Sequence, residues 1–271
     1  MNTTQTLPAE LPTETSAPSA LKPANWKTSL LLFYIPAAVV VLSYYVLLPW
    51  FESLGLSQIT SYMTALCIPM ALMFASALVA YHKVEGNPLT WKAFSERMRF
   101  PKLRWQDPLI GLGIFLVAGT GYFLLSQVET SLVRSGILPV PANLPIFDNP
   151  TADITNAVLN QAAGGQIHGQ WPILVLYLVV YFFNIAGEEF WWRGYIFPRQ
   201  ELVFGKYTWL VHGVMWATFH AFKYWDIIAL LPVTLAIAFA AQKLKNNWPG
   251  LFAHAFMNIM GPIGLFIAVI G

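Results

Sequence analysis

Charge is what this chain has least of. Of its 271 residues, 15 are Lys or Arg and 13 are Asp or Glu, together 10%, where an ordinary soluble domain carries about 25%. With 56% hydrophobic residues and a mean hydropathy of +0.55, the composition belongs to the membrane class. The formal net charge of +2 points to no partner. No basic face or interleaved aromatic platform is present, so no nucleic-acid partner is expected. Cysteine is almost absent. The single Cys67, inside an apolar run, excludes an intramolecular disulfide and a cysteine-based zinc cluster, and reads as ordinary packing. A repeat of fixed period is missing, and so is the metalloprotease spacing His-Glu-x-x-His.

Long apolar runs are what the chain does have. Segments near the roughly 20 residues needed to cross a bilayer stand at 28–50, 59–81, 108–127, 171–192, 207–224, 227–242 and 250–270. Hydrocarbon offers no hydrogen bonds to an open backbone, so each is expected to be helical. The expected fold class is all-α, a polytopic membrane helix bundle of about seven to eight transmembrane helices. It forms one domain over 26–271, with the motif-bearing part at 184–258. Residues 1–25, rich in Thr, Pro, Ser and Ala, read as a disordered polar tail rather than a signal peptide.

The Lys/Arg bias of the loops sets the expected orientation. Lys83, Lys92, Arg97, Arg99, Lys102 and Arg104 crowd the loop after the second apolar run, which is therefore expected in the cytoplasm together with the N-terminus. The long 128–170 loop holds only Arg134 and is expected outside. Its "DITNAVLNQ" suggests a short helix capped by Asp153, and His168 reads as a solvated loop residue. Gly111, Gly113, Gly119 and Gly121, with Ala236 and Ala240, would let helices approach closely. Trp26, Trp50, Trp105, Trp171 and Trp248 sit near run ends, as in an interfacial aromatic belt.

Ionisable groups inside such runs cost roughly 2.5–3.5 kcal/mol each on insertion scales and face a bundle interior or a watery cavity. Three clusters qualify. In "EEFWWR", Glu189 and Arg193 stand at i and i+4 and can pair, while Glu188 lies about 100° round the helix and stays free. A free carboxylate there is suited to general acid–base work on water. In "HGVMWATFH", Trp216 and His220 share a face, with His212 nearer the run's end. In "HAFMN", His254 and Asn258 share a face and could both donate to an oxyanion. Taken singly, each has a plainer explanation: a structural ion pair, an interfacial tip for His212, a packed histidine. Together they place Glu, His, His and Asn on three spans, a constellation for activating water within the membrane.

These three motifs, Glu-Glu-x-x-x-Arg, an aromatic-x-x-x-His and His-x-x-x-Asn, resemble in order and separation those of the CPBP family (CAAX proteases and bacteriocin-processing enzymes), intramembrane proteases similar to the CAAX-processing endopeptidase Rce1. Position 216 departs from the family, which usually has Phe where this chain has Trp. The resemblance implies an intramembrane endopeptidase acting on a peptide or protein substrate in or at the lipid bilayer, which in the eukaryotic members is a prenylated CAAX protein. By that resemblance Glu188 is the general base, His220 helps to hold the water, and His254 with Asn258 form the oxyanion hole. Glu189, Arg193 and Trp216 support them. The cofactor expectation stays open between none and zinc, the latter on Glu188, His220 and His254. A non-catalytic membrane scaffold or immunity-type protein, and a proton-coupled transporter, are the competing functions.

Overall fold

A computed structural model of the chain describes residues 21–142 and 144–271. The first twenty residues of the expected tail lie outside the described residues. Residues 21–25 dock on the bundle: Ala24 is buried and its N–H donates to the Arg199 carbonyl at 3.0 Å. Among the described residues every regular element is a helix, with no strand. This is the all-α bundle that the apolar runs imply.

The helices are α1 (Trp26–Leu42), α2 (Leu48–Ser53), α3 (Gln58–Val79), α4 (Trp91–Arg97), α5 (Gln106–Arg134), α6 (Asn156–Ala163), α7 (Trp171–Glu188), α8 (Phe197–Phe204), α9 (Thr208–Phe219), α10 (Ile227–Leu244), α11 (Trp248–Asn258) and α12 (Met260–Ile270). A π-helical turn joins α1 to α2, so that Trp26–Ser53 is one continuous helical span. By length and hydropathy, four helical stretches could cross a membrane: Trp26–Ser53, Gln58–Val84, Gln106–Arg134 and Trp171–Leu244. The last doubles back on itself, since α9 and α10 pack side by side within it. The bent pair α11–α12 makes a fifth, with 41° between its halves. Pro262 explains the bend: it has no N–H for the Asn258 carbonyl four residues earlier, and its ring crowds that carbonyl. With several long apolar helices, this is an integral membrane protein.

Helix α3 packs along α7, and α5 lies in the groove between α10 and α11. Small residues make these approaches possible. A Cβ on Gly187 would sit 2.6 Å from the backbone oxygen of Met70 on α3, and one on Gly121 would lie 2.9 Å from the Pro232 ring. Gly111 likewise faces Phe252 at 2.6 Å. Gly113 meets nothing within 4 Å, so close packing is not its role as expected: it lies about 200° round α5 from Gly111, on the side away from that contact. Gly187→Ala is expected to destabilise the fold by about 1–3 kcal/mol, because the obstacle is backbone rather than a side chain that can rotate away. Denaturant titration in micelles reads this, with Gly113→Ala as the near-neutral control.

Buried charges hold the helix ends together. Glu129 accepts the N–H of Ala229 at 3.0 Å in the first turn of α10, an anion placed at the positive end of a helix. Asp107, fully buried at the start of α5, takes the Arg104 N–H at 2.8 Å and the Asn246 amide at 2.9 Å. At one end of the bundle Glu85 pairs with Arg97 at 2.5 Å and Arg199 at 2.7 Å, and Glu201 pairs with Arg99 and Lys245, each at 2.5 Å. The basic residues assigned to one side of the membrane therefore gather at one end of the molecule. Trp26, Trp50, Trp105 and Trp171 are all more than half exposed, as a belt requires.

The long loop is built rather than loose. Its helix α6 is capped by Thr155, whose hydroxyl accepts the Val158 N–H at 3.3 Å, and ends at Gly164 in the left-handed conformation (φ +72°). The expected cap Asp153 lies two residues too early to reach the free N–H groups. Asp148, in a single 3-10 turn, is tied to Tyr44 at 3.0 Å, Tyr62 at 3.2 Å and Lys223 at 3.4 Å. His168 is exposed.

Candidate active site

Helix α7 does not stop where its apolar run ends. It continues as a π-helix over Glu189–Ile196 and then as α8, which sets Glu188 near the middle of a long helical rod. Widening a helix to the π form breaks its ordinary ladder. Arg97 compensates by donating to the carbonyls of Gly194 at 2.9 Å and Tyr195 at 3.3 Å. Helix α9 is short and ends at Phe219, so His220 caps it and opens a 3-10 stretch kinked at Lys223. The extended α7 and the curtailed α9 bring Glu188 and His220 to the same depth, which the apolar run limits alone would not.

Both line one cavity of about 260 Å³, together with Trp216, His254, Asn258 and Asn184. One water needs about 10–15 Å³ on the same measure, so solvent and a peptide segment have room. Glu188 is 2% exposed. Its Oε2 accepts the indole N–H of Trp216 at 2.5 Å and that of Trp192 at 3.2 Å. Glu189, fully buried, serves other partners: Oε2 takes Arg193 Nε–H at 2.8 Å, Oε1 takes Arg193 Nη2–H, and Oε1 also takes His254 Nδ1–H at 3.0 Å. The adjacent carboxylates thus divide their tasks. One closes a bidentate pair and the other faces the cavity, held from behind by two indoles.

Hydrogen bonds also fix the imidazoles. His220 Nδ1 lies 2.9 Å from the Trp216 carbonyl, which can only accept, so Nδ1 carries the proton. In the neutral ring Nε2 then offers a lone pair. His254 Nδ1 likewise donates to a carboxylate, so its Nε2 can donate only when the ring is cationic. Asn258 spends one amide hydrogen on its own helix, to the His254 carbonyl at 3.1 Å, and keeps the second. Arg193 stacks over the Trp216 ring at 3.7 Å, a cation–π contact.

His212 is not the interfacial tip its position suggests. It is fully buried between Phe33 and Phe197, with Nδ1 2.7 Å from Gln200 Oε1. The continuing α8 covers the run's end, so His212 never reaches an interface. Two features of the cavity escape the sequence reading. Asn184 stands one turn before Glu188 on α7, a spacing that could have flagged it. The far wall, with Lys223, Asp226, Tyr122, Tyr62 and Tyr177, assembles from four separate parts of the chain, and no local pattern marks it.

A family model described as type II CAAX prenyl endopeptidase Rce1-like matches residues 170–260. Over that region the chain is similar to the Rce1-like family. The Rce1-like region runs from the start of α7 to the start of α12 and carries Glu188, Glu189, Arg193, His220, His254 and Asn258. The family is one of CAAX-type intramembrane proteases. No curated protein and no solved structure matches the chain. Among the described residues no group of three or more His, Cys, Asp or Glu side chains is arranged to hold a metal ion. Glu188, His220 and His254 line one cavity without forming such a group.

Proposed function

We propose that this protein is an intramembrane endopeptidase that hydrolyses a peptide bond of a membrane-proximal substrate, prenylated CAAX-type proteins being the class the family points to. The basic end, with Arg97, Arg99 and Arg199, lies in the cytoplasm in this reading. The observation that carries it is the shared cavity of Glu188 and His220, with His254 and Asn258 in the same wall.

In the proposed reaction, a water donates one hydrogen bond to Glu188 and the other to the Nε2 lone pair of His220. Its own lone pair is then turned toward the scissile carbonyl carbon. Glu188 takes the proton as the C–O bond forms, and the carbonyl π electrons move onto oxygen. Cationic His254 and the remaining amide hydrogen of Asn258 donate to that oxyanion. Collapse of the tetrahedral intermediate breaks the C–N bond, and Glu188 returns its proton to the leaving amine. Each oxyanion donor of this kind is worth about 100–1000-fold in rate. No step passes through a metal ion.

The experiment is purified protein in lipid nanodiscs with farnesylated and unprenylated CAAX peptides, the new ends read by mass spectrometry. Wild type is expected to release a C-terminal fragment. His220→Ala is expected to fall by roughly 100-fold or more with an unchanged unfolding midpoint. Equal cleavage by both proteins would reject the role of His220. Unfolding of the variant would favour a non-catalytic scaffold that keeps these residues for bundle integrity. Stoichiometric zinc on elemental analysis, with activity lost on chelation, would overturn the metal-free scheme.

A further inference from the structure

Trp216 touches four groups of the site: Glu188, Arg193, His254 and His220. The indole N–H of Trp216 donates to Glu188 at 2.5 Å, its ring face carries the Arg193 guanidinium at 3.7 Å, and its edge meets the His254 ring at 5.3 Å and 78°. Its backbone carbonyl takes the Nδ1–H of His220 at 2.9 Å. Trp192, one turn from Glu188, adds a second indole N–H at 3.2 Å to the same Oε2.

We propose that Trp216 is a positioning residue which, with Trp192, occupies one oxygen of the Glu188 carboxylate and so dedicates the other, Oε1, to the attacking water. The proposal rests on the reading of Glu188 as general base. A carboxylate turns easily about its last torsion, where the barrier is low and two-fold. Left unheld, it would present its lone pairs in many directions. Two donors on one oxygen remove that freedom. Indoles suit the task because they donate and cannot accept, so neither can take the proton that Glu188 must carry and return. Their apolar bodies also keep bulk water from the back of the carboxylate. A phenylalanine at 216 would still offer a ring to Arg193 and His254, but no N–H. The N–H is thus separable from the packing by a single substitution.

Trp216→Phe tests this in nanodiscs. A hydrogen bond to a charged group of this kind converts to roughly 10–100-fold. The expected result is that kcat falls by that factor, KM stays within about twofold, and the unfolding midpoint is retained. Trp192→Phe, with the longer bond, is expected to lose less. A readout independent of turnover is the indole resonance of ¹⁵N-tryptophan-labelled protein, assigned by its disappearance in Trp216→Phe. It is expected to shift in Glu188→Gln. Full kcat in Trp216→Phe, or an indole resonance unmoved by Glu188→Gln, overturns this role while leaving the peptidase reading intact. Absence of cleavage by wild type sinks the base reading, and this role with it.

Discussion

Glu188→Gln is expected to lower peptide cleavage by roughly 10²–10⁴-fold, the usual worth of a positioned general base, with the fold intact. The substitution is chosen because the amide keeps one oxygen acceptor. That oxygen can still receive the N–H groups of Trp216 and Trp192, so the wall behind the side chain stays satisfied. What is lost is the ability to take a proton from water. Truncation to alanine would confound the two effects, because it strands both indole donors in a buried wall. Initial rates with a saturating peptide, alongside denaturant unfolding of both proteins, make the comparison. Cleavage at the wild-type rate by Glu188→Gln would remove Glu188 from the chemistry and leave the cavity without a base on α7.

The prediction stands on a placement that the sequence half reveals. The seven apolar runs are helical apart from the kink at Lys223 and the break at Ile259, as the demand for internal backbone hydrogen bonds in hydrocarbon requires. The pairing of Glu189 with Arg193 follows from their spacing alone. Depth was not legible in the same way. Hydropathy places the end of the fourth run near residue 192, which would put Glu188 close to an interface and His220 far from it. The chain instead carries the helix on through Tyr195, Gln200 and Phe204, a stretch with a low apolar content that tertiary contacts hold. Arg97, at the end of α4, caps the open carbonyls, and Gln200 joins Ser29 of α1 at 3.2 Å to His212 of α9 at 2.7 Å.

Roles that depend on partners far along the chain stayed hidden for the same reason. The Asp148–Tyr44–Tyr62–Lys223 cluster spans most of the chain, and it is what turns the 128–170 loop into a docked element against the outer part of the bundle. Glu129 falls by hydropathy in the loop that begins at 128, whereas the structure carries α5 on to Arg134 and Ala229, a hundred residues later, brings its helix N–H to that carboxylate. The departure at position 216 is visible in the sequence as Trp for Phe. Only the structure shows that the indole N–H gained there donates to Glu188.

Arg193→Met is expected to cost about 3–5 kcal/mol of stability, the range for removing one partner of a buried ion pair. Glu189 has no exposed surface, and Arg193 supplies two of the three hydrogen bonds to its carboxylate. Without the guanidinium the carboxylate keeps only His254, and the Trp216 ring loses the cation above it. Methionine fills a similar length with a flexible apolar chain, so the penalty reports the stranded charge more than a void. The double variant Glu189→Met/Arg193→Met separates these causes. If the stranded carboxylate is the cost, removing it should recover most of the loss in denaturant titrations, since apolar replacement of a complete buried pair is often neutral or better. Activity should not return with stability, because His254 would then have no carboxylate to hold its Nδ1–H or to balance its charge. A double variant as unstable as Arg193→Met would show instead that the guanidinium matters through its stacking on Trp216, and the ion pair would lose its place as the brace of the site.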